Sequence, residues 1–102
     1  MKFQKFSSKN EFVKYYFSDY EEPKDFKKID KIIKKNKRFK VKQLENLDGF
    51  SFLMKKYLIF GGEIFLYNDH MTGNYITIKR KEDEIALEKL IEELSLAKNQ
   101  TE

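Results

Sequence analysis

Apolar residues recur at three- and four-residue spacing through much of this chain, a period that predicts helices. Phe12, Val13, Tyr16, Phe17 and Tyr20 follow Ser8-x-x-Glu11, and together they predict a helix over 8–20. In such a capping box the serine hydroxyl and the glutamate carboxylate each satisfy an amide left open at the helix start. Pro23 suits the first turn of a second helix, where a missing N–H costs nothing. Phe26, Ile29, Ile32 and Ile33 form the buried stripe of that helix, and Asn36 is a candidate left-handed stop.

Arg38 to Lys42 alternates basic and apolar residues, as a short extended segment does. Leu44 and Leu47 fit a turn and a half of helix, and Asp48-Gly49 is a turn signal. Phe50, Leu53, Met54, Tyr57 and Leu58 return to helical spacing, ending at Gly61-Gly62. The same stretch, YLIF-GG-EIFL, also fits two strands joined by a glycine turn. Helix is the preferred reading for 50–60, with the hairpin kept beside it. Segments 63–67 and 75–80 read as antiparallel strands joined by the polar loop NDHMTGN. A final helix over 82–97 starts on Glu82, Asp83 and Glu84, and Ile85, Leu87, Leu90, Ile91 and Leu94 form its apolar side. Residues 98–102 should fray.

Charge changes this picture more than composition does. Residues 24–42 carry nine Lys, one Arg and two Asp, a net of +8, while residues 1–23 balance and residues 43–102 sum to −4. A cluster so concentrated is an electrostatic footprint for nucleic acid or another polyanion. The plain alternative is a solvated helix face, with lysines in the last turn complementing the helix dipole.

With 102 residues there is room for one domain, expected over 1–97, and 10 Phe with 6 Tyr can fill its core. No cysteine is present and there is one histidine, which excludes thiolate and two-histidine metal sites. No metal or other cofactor is expected. No segment approaches the ~20 apolar residues of a membrane span, and MKFQKFSSKNEF lacks the apolar core of a signal peptide. A cytoplasmic protein that does not engage membranes is therefore expected. Catalysis finds no nucleophile motif, no phosphate-binding glycine loop and no paired carboxylates, so the chain does not read as an enzyme.

The order helix, short helix–turn–helix, two-stranded hairpin over about 24–80 resembles the winged helix-turn-helix family. Leu44, Gly49, Phe50 and Leu58 match its apolar and turn positions, while Glu45 and Lys55 depart from it. In size and lysine content the chain also resembles the winged-helix relaxosome accessory proteins of clostridial conjugative plasmids. The resemblance implies an α+β winged helix-turn-helix fold with an added N-terminal and an added C-terminal helix. It implies a homodimer that binds double-stranded DNA at a transfer origin, with sequence preference, beside a relaxase or other transfer protein. Ser51, Lys55 and Lys56 would then face the major groove. Asn68, His70, Thr72 and Asn74 would form the wing loop, with Lys79 and Arg80 on its return strand. Lys37, Arg38, Lys40 and Lys42 would sit on phosphates, which position without reading sequence. Two apolar stripes, Phe12 to Tyr20 and Ile85 to Leu94, would supply the dimer surface. The rival reading is a small protein-binding inhibitor or adaptor of a mobile element.

Overall fold

A strand, β2 (Glu11–Phe17), occupies the segment 8–20 for which the spacing predicts a helix, and it pairs with β1 (Phe3–Ser8) before it. The computed structural model describes residues 1–48, 52–69 and 71–96. In β2 the buried residues are Val13, Tyr15 and Phe17, an alternation hidden inside the three-and-four pattern. Aromatic and β-branched side chains favour a pleated, half-buried surface, and here that preference decides. Ser8 and Glu11 face each other across the strand pair and frame the turn, so they do not form a capping box.

Helix α1 (Asp25–Lys35) forms where expected, with Phe26, Ile29 and Ile33 buried. Asn36 is not left-handed. Its backbone is extended, and its side chain accepts a hydrogen bond from the Arg38 N–H to start a single 3-10 turn over Lys37–Phe39. The left-handed residue is Lys40, at φ 48 and ψ 49.

The winged helix-turn-helix is overturned at the next two elements. Where two helices were expected, β3 (Lys42–Asp48) and β4 (Phe52–Ile59) pair antiparallel, from Lys42 opposite Leu58 to Asp48 opposite Leu53. β5 (Gly62–Asp69) and β6 (Gly73–Thr77) continue the meander. Gly49, Phe50 and Ser51, with the turn expected there, lie outside the described residues. The helical period in β4 arose because both faces of that strand are partly covered, which erases a clean two-residue alternation.

The β4–β5 connection is the two-residue loop Phe60-Gly61, with φ of 53 and 80, both positive as a type I′ hairpin turn requires. The two glycines have separate jobs. Gly61 supplies the backbone angle, whereas a Cβ on Gly62 would lie 2.5 Å from the Ala86 Cβ.

The strands make one antiparallel sheet in the order β1-β2-β6-β5-β4-β3. A 3-10 turn over Lys81–Asp83 leads into α2 (Glu84–Leu96), which buries Ala86, Leu87, Leu90, Ile91 and Leu94 but leaves Ile85 exposed. Both helices cover the same face of the sheet. Tyr15 on β2 reaches Glu88 of α2, and Tyr57 on the same face of β4 reaches Asp30 of α1. Between the layers lie Phe17, Ile59, Ile64, Leu66, Ile76 and Ile78, packed on α1, α2 and Phe39. Among the described residues no helix is long and apolar enough to cross a membrane.

Candidate functional site

The periodicity that buries Phe26, Ile29 and Ile33 turns Lys24, Lys27, Lys28, Lys31, Lys34 and Lys35 outward, and all six are exposed. Lys28 meets Asp25 at 3.7 Å and Lys34 meets Asp30 at 3.2 Å. Lys24, Lys27, Lys31 and Lys35 have no carboxylate within 4.0 Å among the described residues, nor do Lys37, Lys40 and Lys42 after them. Arg38, in the same loop, is held by Glu93 at 3.1 Å. At 1.5 Å rise per residue the helical part of this row is about 16 Å long.

Asp25 meets one lysine of the row, and the second acid of α1 is drawn inward. Asp30 is buried and accepts the Tyr57 hydroxyl at 2.6 Å, with Lys34 at 3.2 Å and Lys55 at 3.3 Å. Its charge is spent inside, on groups that fix α1 against β4. The outward lysines keep their field, which is what attraction of a polyanion needs.

The residues expected to contact DNA scatter over the molecule. Lys37, Arg38, Lys40 and Lys42 are all exposed, on the segment that follows α1. Lys55 and Lys56, expected on one recognition helix, lie on opposite faces of β4. Lys55 is tied to Asp30, and Lys56 pairs with Glu45 and Glu63 at 3.4 and 3.3 Å. Asn68 and Asn74 are not loop contacts but a buried pair. The Asn68 amide donates to Asn74 Oδ1 at 2.9 Å, and the Asn74 amide donates to the carbonyls of Tyr20 and Glu22. Thr72 is exposed in the β5–β6 loop, as expected of it, but that loop borders a cavity of about 410 Å³ that Glu21 and Asp69 also line. Arg80 is committed to Asp83 through two hydrogen bonds of 2.8 and 3.0 Å. Ser51 and His70 lie outside the described residues.

The face of the sheet opposite the helices carries a row of rings. Phe65 and Tyr67 stack at 6.1 Å, Tyr67 and Tyr75 at 5.3 Å, and Tyr16 and Tyr75 tilt together at 5.0 Å. Lysines cover them, Lys79 at 4.7 Å from the Phe65 centroid and Lys14 at 5.3 Å from that of Tyr75. Phe65 and Tyr67 are only 6% and 8% exposed, although α1 and α2 lie on the other face. Burial, with Tyr16, Tyr67 and Asp69 nearby, pushes the Tyr75 phenol up to about 12. Here rings and cations satisfy one another, so Lys79 stabilises this face.

The apolar stripes from which a homodimer was argued are used in part within one chain, while Phe12 and Ile85 of them stay exposed. Val13 and Phe17, and Leu87, Leu90 and Leu94, are all buried in the core.

Sequence reasoning left the α1 lysines out of the contact residues because the helix dipole already explained them. The signal that finds them is the +8 balance of residues 24–42 itself. No protein-family model, curated protein or solved structure matches the chain.

Proposed function

We propose that this protein binds double-stranded DNA by its phosphate backbone, on the lysine face of α1 and the loop that follows. One observation carries the reading: Lys24, Lys27, Lys31 and Lys35 are exposed without acidic partners among the described residues, on a helix whose only buried acid is turned inward. Lysine acts as a mobile point charge on phosphate, and such contacts fix position without reading bases. Binding through this surface is therefore general with respect to sequence. The role at a transfer origin, implied only by the earlier resemblance, has no support in this geometry.

Electrophoretic or fluorescence titration of a blunt duplex at several salt concentrations tests the reading. Each lysine that releases a counterion contributes about 0.9 to the log–log salt slope. Replacing Lys27, Lys31 and Lys35 together by Gln should flatten the slope by roughly 2 to 3 and weaken binding. Absence of duplex binding at low salt rejects the proposal. So does binding that ignores both salt and these lysines, an outcome that favours a protein-binding adaptor.

A further inference from the structure

A groove of about 390 Å³ lies between the loop after α1, the β4–β5 turn and α2. Leu58, Phe60 and Gly61 line it from the β4–β5 hairpin, and Arg38, Lys40 and Lys89 stand around it. Its size lies within the range of small-ligand pockets.

Two independent features single it out. The first is backbone. Lys40 at φ 48 and Phe60 at φ 53 are the two non-glycine residues with positive φ among those described, and both line this groove. Side chains rarely accept that region, and it persists where the surroundings impose it, often at functional sites. Asn or Gly is the usual choice at the first position of a type I′ turn. Phenylalanine there places a ring at the groove, braced edge-on by Phe39 at 5.6 Å and 79°.

The second is charge. Glu93 holds Arg38, but Lys40 and Lys89 have no carboxylate within 4.0 Å among the described residues. The Lys89 Nζ stands 4.5 Å from the Phe60 centroid, poised on the ring face. Glu21 and Asp69 line one other cavity and Glu11 another, while the one at Gln4, Lys5, Phe6, Tyr16 and Thr72 has no acid but a single cation. No acid lines this one.

We infer that the groove is a nucleotide site. A flat, weakly polar base takes the place of the Lys89 ammonium on the Phe60 ring, and the attached phosphate is taken by the displaced Lys89 and by Lys40, with Arg38 at the rim. Aromatic rings hold bases by their π faces irrespective of base identity, and arginine and lysine supply the anion contacts. The same chemistry is offered by a free mononucleotide and by an unpaired nucleotide at the end of a strand. The site shares Lys40 with the loop of the duplex surface, while Phe60 and Lys89 lie outside that surface.

The test titrates the full chain, labelled with nitrogen-15, with adenosine monophosphate, adenosine and inorganic phosphate in turn. The monophosphate should shift amides at 38–40, 58–61 and 89, and should bind about tenfold more tightly than either part alone. Lys89→Gln, on an exposed helix position that leaves the core untouched, should weaken the monophosphate several-fold. Phe60→Leu should do the same through the base. A response to the monophosphate no stronger than to phosphate alone overturns the inference, as does an unaffected Lys89→Gln. Comparing a blunt duplex with one bearing a single unpaired 5′ nucleotide then separates the sources. Preference for the overhang assigns a strand end, and monophosphate binding without that preference assigns a free nucleotide; either supports the site. The monophosphate titration needs no duplex, so failure of backbone binding by α1 leaves its result intact.

Discussion

The Tyr57 hydroxyl donates a 2.6 Å hydrogen bond to Asp30, joining the middle of β4 to the inner side of α1. Burial, reinforced by that carboxylate, holds the Tyr57 phenol far above its ordinary range, so it stays a neutral donor. Tyr57→Phe leaves the buried carboxylate short of one partner and should cost about 1–3 kcal/mol in urea unfolding. A loss below a few tenths would show that Lys34 and Lys55 satisfy Asp30 without it.

The adjacent glycines should fail differently. Gly61→Ala strains a backbone at φ 80 with open space around it, a cost of about 1 kcal/mol. Gly62→Ala drives a methyl into Ala86 and should cost about 1–3 kcal/mol by overpacking. Adding Ala86→Gly should recover part of the second loss and none of the first, a coupling that a double-mutant cycle measures.

Asp83 gives the fold a dependence on acid. Its hydrogen bonds from Arg80 hold its carboxyl below the ordinary range, against the opposing effect of burial. A depressed folded pKa adds stability above the unfolded value of about 3.9, and that stability is lost as pH falls through the folded value. Asp83→Asn should therefore destabilise at pH 7, and the gap to the parent protein should narrow below about pH 4. A gap that stays constant from pH 7 to pH 3 would show that charge is not what Arg80 recognises.

Asn74 clamps the β2–α1 connection to the start of β6 through the carbonyls of Tyr20 and Glu22. Asn74→Ala should lower stability by about 1–3 kcal/mol. Under conditions where the variant is folded, duplex affinity and its salt slope should be unchanged. A selective loss of DNA binding would restore the loop contact that the sequence suggested.

Single charge removals should separate the two lysine populations. Lys31→Ala should weaken duplex binding and lower the salt slope by about one unit. Lys56→Ala should leave the slope alone, because that ammonium is already held by Glu45 and Glu63.

Helices α1 and α2 were legible in the sequence because each buries one face, the basic segment because it has one clear charge sign, and the β5–β6 hairpin because a polar turn separates two β-prone runs. The helix-turn-helix was misread for a physical reason. In β4, Leu53, Tyr57 and Ile59 point one way with Lys55 among them, while Met54, Lys56 and Leu58 point the other. A lysine in the inner row and apolar residues in the outer row mimic a helical period. Only Asp30, 25 residues before Lys55 in the chain, explains why a cation is tolerated there. In β2 the tyrosines on both faces produced the same ambiguity, since one packs on α2 and the other on the ring row. The groove at Phe60 had no sequence signal beyond the glycine pair, because positive φ at a phenylalanine is a property of the folded turn.

The place of β2 beside β6 sets an order of events during synthesis. Thr77 donates its hydroxyl to the carbonyl of Val13, 64 positions earlier, at the seam where β2 joins the rest of the sheet. At about 5–20 residues per second, a ribosome needs roughly 3–13 seconds to cover that interval. Throughout it, the nascent β1–β2 hairpin has Val13, Tyr15 and Phe17 without their covering layer and an unpaired edge on β2. A two-stranded ribbon is marginal in water by itself. Until β6 has emerged to receive it, that hairpin has only its own cross-strand pairing to hold it.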